Sequence, residues 1–149
     1  MTTPLVPADF DVPDGLQTEL FALEPLDVGH NDADYAAWTS SIEHIRQTPG
    51  FAEGTWPVPM TLAQNEADLA GHARDFAGRT GFTYTVLDPA SRGVIGCVSV
   101  YPARREGYDA DVCSWVRADR AELDKPLYET VRQWLASDWP FARPDYASR

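Results

Sequence analysis

The run from Phe82 to Leu135 does most to decide what this chain can fold into. Phe82-Thr-Tyr-Thr-Val-Leu87 is β-branched and aromatic and follows Gly81, so it predicts a strand. Asp88-Pro-Ala-Ser-Arg-Gly93 supplies the Pro and Gly angles of a reversal. Val94-Ile-Gly-Cys-Val-Ser-Val-Tyr101 predicts a second strand and Asp111-Val-Cys-Ser-Trp-Val116 a third. From about Lys125, Leu127, Val131, Trp134 and Leu135 recur at helical spacing, so one helix face can lie on the sheet. A hairpin, a third strand and a covering helix predict an α+β sandwich: a mostly antiparallel sheet flanked by helices.

Upstream, residues 1–15 carry three prolines and end in Asp14-Gly15, which predicts an irregular arm before a single domain over 16–149. Leu16 to Leu26 predicts the first strand, with Leu20, Phe21 and Leu23 as core contacts and Pro25 at its end. Asn31 to Gln47 predicts one helix, capped by Asn31 or Asp32, with Tyr35, Trp38, Ile42 and Ile45 as its apolar stripe. Thr48-Pro-Gly50 ends it. A loop rich in Pro, Gly and aromatics leads to Thr61-Leu-Ala-Gln64, which has the form of a capping box. That second helix runs to about Arg79, with Gly81 as its stop.

Charge limits the partners. The 23 acidic and 12 basic residues leave a formal charge of −11, which disfavours nucleic acid and anionic membranes. The plainer reading of that field is a solvated surface, and the sharper one is attraction of a small cation such as an amine. No run approaches the roughly 20 apolar residues of a membrane span, and the N-terminus lacks the pattern of a signal peptide. A cytoplasmic location is the resulting expectation, under which Cys97 and Cys113 are small core residues rather than a disulfide. His30, His44 and His72 lie far apart and no Cys-x-x-Cys occurs, so no metal site is expected.

The order strand, two helices, antiparallel strands, helix resembles the GNAT N-acetyltransferase superfamily over roughly residues 16–149. The local matches are Phe82-Thr-Tyr-Thr-Val-Leu-Asp88, Val94-Ile-Gly-Cys-Val98 and Cys113-Ser-Trp-Val-Arg117. The resemblance implies acyl transfer from acetyl-CoA or another acyl-CoA to a small amine. It places Val116, Arg117, Arg120 and Lys125 beside the cosubstrate, whose pyrophosphate such proteins hold on a glycine-bearing turn and a helix N-terminus. Here that turn reads Ala118-Asp-Arg-Ala-Glu-Leu-Asp-Lys125, without glycine. Glu122 would repel a phosphate, and Asp124, as helix cap, would occupy the donors. In active members a further helix and strand follow; here the sequence predicts one short strand after Ala142, a fold shortened at its C-terminus.

Acyl transfer needs a base and a proton donor. The strand Val94–Tyr101 has no acid, so Asp109 and Asp111 are the candidates for the base, and Tyr146 for the donor. All three also fit plainer roles, as strand-edge charges and as a packing or interface residue. Trp38, His44, Trp56 and Trp115 are the candidates for substrate contact, because tryptophan with carboxylates suits a cation; core packing and a surface histidine are their alternatives. His72, with Asp68 and Asp75 within one turn, reads as a local ion pair. Two functions stay open: an acyl-CoA-dependent N-acetyltransferase, or a non-catalytic protein of that fold that binds a small molecule or self-associates without acetyl-CoA. An uncovered sheet edge after Trp139 predicts a homodimer.

Overall fold

In a computed structural model, which describes residues 3–52 and 54–149, six strands form one sheet in chain order. They are β1 (Leu16–Gln17), β2 (Ala22–Pro25), β3 (Phe82–Leu87), β4 (Val94–Tyr101), β5 (Ala110–Val116) and β6 (Pro144–Tyr146). Neighbours are antiparallel except β5 and β6, which run parallel over Ala110–Val112 and Pro144–Tyr146. The β3–β4 reversal is fixed by Asp88, whose Oδ1 accepts from the N–H groups of Ala90 and Ser91 at 2.9 and 3.1 Å. Gly96 lets β4 and β5 approach: a Cβ there would stand 2.0 Å from the Trp115 carbonyl oxygen.

Two segments are more broken than periodicity predicts. The expected strand over 16–26 is a hairpin of β1 and β2, because Thr18 turns the chain: Phe21 N–H donates to its Oγ1 at 3.0 Å. Leu20 therefore sits on the turn, 50% exposed, while Phe21 and Leu23 enter the core as expected. The expected helix over 31–47 is two, α1 (Asn31–Thr39) and α2 (Ile42–Arg46). Thr39 and Ser40 bond back to the carbonyls of Tyr35 and Ala37, at 2.6 and 2.9 Å, and compete with the helical ladder. Neither Asn31 nor Asp32 caps α1. Asp27 caps a short 3-10 turn ahead of it, accepting from Gly29 N–H at 2.8 Å.

Helix α3 (Leu62–Ala77) opens on the expected Thr61/Gln64 capping box. It stops at Gly78 and Arg79, the latter in the left-handed region (φ 60°), rather than at Gly81. Gly81 answers to packing instead, since a Cβ there would lie 2.2 Å from the Tyr101 ring. Helix α4 (Asp124–Asp138) follows a 3-10 segment and buries Leu127, Val131, Trp134 and Leu135. Asp124 is not its cap; Leu123 holds that position.

The sheet divides the core. One cluster joins α4 to Val98, Val100, Val112 and Val116; the other joins α1 and α2 to Leu87, Val94 and Trp115. The N-terminal arm, without helix or strand over its described residues, packs Val6 into the first cluster and is tied down by Arg79 Nη2 on the carbonyls of Pro7 and Phe10. No helix among the described residues is long and apolar enough to cross a membrane.

Candidate functional site

Between the face of β3–β5 and helices α1 and α3 lies a cavity of about 220 Å³. Its aromatic side is Phe51, Trp56 and Trp115, with Trp56 centred 6.0 Å from Trp115 and 5.4 Å from Trp38 behind it. The loop that carries Trp56 is gripped by Arg46, whose Nε and Nη2 donate to the Pro57 carbonyl at 3.1 and 2.9 Å. The floor is Cys97, Ser99 and Cys113. Both cysteines are free, and burial pushes their thiols up, Cys113 to about 11, so neither is a resting thiolate.

The polar side comes from the helices. Asp34 of α1 is 4% exposed and accepts from Asn65 Nδ2 of α3 at 3.1 Å. Asn65 is fully used: its other N–H serves Asn31 Oδ1 at 2.8 Å, and its oxygen accepts from Trp38 Nε1 at 3.0 Å. Burial pushes the Asp34 carboxyl up, against the pull of the Asn65 hydrogen bond. Asp68 stands exposed at the rim.

His72 completes this wall, and its role differs from a local ion pair. Its Nδ1 lies 2.9 Å from the Tyr101 hydroxyl and 3.2 Å from Thr83 Oγ1. The Tyr101 hydroxyl donates to Asp75 Oδ2 at 2.8 Å. With that proton committed to Asp75, the phenol oxygen can only accept from His72, which places the imidazole proton on Nδ1 and leaves Nε2 basic. Burial holds the imidazole below its ordinary pKa, so it rests neutral.

The other sequence candidates disperse. Trp56 and Trp115 line the cavity, Trp38 backs it, and His44 is outside its lining, with Nε2 buried and unpartnered among the described residues. Asp109 ties down the tail by accepting from the N–H groups of Ala142 and Arg143 at 2.7 and 3.1 Å. Asp111 faces a neighbouring pocket, 3.4 Å from Arg104. Tyr146 bonds Ser114 at 2.5 Å and packs on Tyr128 of α4.

The expectation that the turn after β5 refuses a pyrophosphate loses one of its grounds, since Asp124 does not cap α4, and the geometry supplies others. Val116 is buried in the core. Arg117 is committed to Asp119 at 2.6 Å and to the Val94 carbonyl at 3.0 Å, and Arg120 to Glu122 at 3.5 Å and Asp88 at 3.8 Å. Lys125 is exposed without an ion pair among the described residues. Asp124 N–H already bonds Ala121, and Pro126 at the third position of α4 has no N–H to offer. These residues do not fit the phosphates of an acyl-CoA.

No protein-family model matches the sequence, and no curated protein matches it. Solved structures do. A protein described as a GNAT-family acetyltransferase from Bordetella pertussis matches with TM-score 0.58 at 21% identity, over 83% of this chain and 71% of its own. The ribosomal-protein-S5-alanine acetyltransferase of Vibrio fischeri matches with TM-score 0.59 at 12% identity, over 85% and 69%. A ribosomal L7/L12 alpha-N-protein acetyltransferase in complex with coenzyme A matches with TM-score 0.59 at 12% identity, over 81% and 67%. At such identities the likeness is one of architecture, and the chain has the fold of the GNAT acetyltransferases.

Proposed function

We propose that this chain is a GNAT-fold protein that binds a small amine in the cavity between α1, α3 and the sheet. The observation that carries the reading is that Phe51, Trp56 and Trp115 line one cavity of about 220 Å³ together with Asp34 and Asp68. Aromatic faces attract a cation by their quadrupole, and a carboxylate in a poorly solvated wall adds a charge-assisted hydrogen bond. The volume suits a compact organic cation rather than a peptide.

Acyl transfer is the second reading, favoured by His72. A neutral imidazole on this wall, its tautomer fixed through Tyr101 and Asp75, is suited to taking a proton from a bound ammonium. The named activities of the similar structures support it, and the occupied turn after β5 weighs against it.

Thermal-shift titration with a panel of small primary amines, each beside its neutral alcohol isostere, tests the first reading. At least one amine should raise Tm in wild type and leave Asp34→Asn unmoved. Equal shifts from the neutral isosteres would remove the reading. Release of free thiol from acetyl-CoA in the presence of a bound amine would promote the second.

A further inference from the structure

Strands β5 and β6 pair only over Ala110–Val112 and Pro144–Tyr146. Further along β5, Ser114 and Val116 face β4 on one side, opposite Val98 and Gly96, and have no strand partner on the other among the described residues. The free backbone edge of a strand beside an unpaired neighbour is a natural seat for an extended, amide-bearing chain. The pantetheine arm of a CoA-type molecule is such a chain. The resemblance to the GNAT proteins implies that its phosphates would lie at the turn that follows β5.

In this chain Arg149 fills the seat. Its Nη2 donates to the Ser114 carbonyl at 2.7 Å and lies 3.3 Å from Ser114 Oγ. Its Nε donates to Asp124 Oδ2 at 2.7 Å, and its Nη1 to the Ala147 carbonyl at 2.8 Å. The guanidinium carbon lies 5.9 and 5.8 Å from the ring centres of Tyr128 and Tyr146. The side chain is 4% exposed, the deepest of the cations in ion pairs among the described residues. A desolvated guanidinium with its donors spread over two carbonyls and a carboxylate is a built joint, not a surface contact.

We propose that Arg149 is a latch that closes the β5–β6 slot against pantetheine-bearing ligands. Removing the guanidinium frees the Ser114 carbonyl and opens the slot, while the acidic turn still repels phosphates. The latch stands apart from the amine reading, since it leaves the cavity walls untouched.

Calorimetric titration of the full chain with two probes, pantetheine and CoA, tests it. Wild type should give no heat with either at 1 mM, on the order of a −4 kcal/mol ceiling on affinity. Arg149→Ala should bind pantetheine at least about tenfold more tightly than wild type, and CoA no better than pantetheine. Asp124→Asn, which keeps the shape and loosens the ion pair, should give a smaller gain and covers the case in which Arg149→Ala does not fold. Wild type binding pantetheine as tightly as the open variants overturns the latch, as does the absence of binding in every folded variant. Amine binding, measured on the same samples, reports separately on the cavity.

Discussion

Asp34 carries a cost that an asparagine would avoid. Its carboxyl is buried with one side-chain hydrogen bond among the described residues, from Asn65, and burial raises its pKa above 3.8. A folded-state pKa above the unfolded one means that the native state holds the proton longer, so this group's contribution to stability falls as pH rises through the folded pKa. Asp34→Asn should therefore raise neutral-pH stability, by on the order of 1 kcal/mol, with the gain vanishing below pH 3.8. Urea midpoints at several pH values would show it. The same substitution should abolish the amine response, as expected where a residue is kept for a ligand and not for the fold. His72 has the opposite sign. Its pKa is lowered from 6.5, so its contribution is complete above that value and is lost as pH falls towards the folded pKa. Between pH 7 and 5, wild type should lose more stability than His72→Gln; a parallel decline would show that the imidazole is not held neutral.

At the scale of elements, what the sequence revealed depended on whether one signal dominated. β3 was legible because six β-branched, aromatic and aliphatic residues are all buried, and α4 because its stripe is unbroken. The break between α1 and α2 was hidden because Tyr35, Trp38, Ile42 and Ile45 keep their phase across it. The signal that could have found it is the hydroxyl run Thr39-Ser40-Ser41. The break also has a use: Ser41 Oγ accepts from Ala118 N–H at 2.8 Å, anchoring the turn after β5. Ser41→Ala should cost about 1–2 kcal/mol, because the Ala118 donor loses its partner, and should speed hydrogen exchange at Ala118 more than in β3. Trp56 and Trp115, candidates for an aromatic pocket on residue type alone, both line the cavity. Asp34 was not, since on a helical wheel it reads as solvated, and the acids beside His72 masked its bond to Tyr101. Arg149 carried no local signal at all; only the tertiary fold brings it to Ser114 and Asp124.

Across the whole molecule, the sheet ends on two short edges, β1 with two residues and β6 with three, which give another chain little to pair with. Trp139 and Phe141, the aromatics behind the expected interface, stack on each other and pack on the chain's own core. A homodimer held by the region after Trp139 stays a proposal; light scattering at tens of micromolar decides it, a monomeric mass removing it. The charge bears on the cavity more directly. With a formal net charge of −11, the molecule presents a negative field to an approaching ammonium, and Asp68 at the rim continues that field to the cavity mouth. Attraction of this kind acts before contact, so it belongs to the association rate. Raising salt from 10 mM to 150 mM shortens the screening length from about 30 to about 8 Å. For a cationic ligand, stopped-flow measurements on the tryptophan fluorescence of the cavity should then show the on-rate falling several-fold. The off-rate, which on the proposed amine reading depends on short-range contacts with Asp34 and the aromatic faces, should change by less than a factor of two. Asp68→Asn should flatten the salt dependence without altering the off-rate. An on-rate indifferent to salt would mean that the acidic surface serves solubility alone.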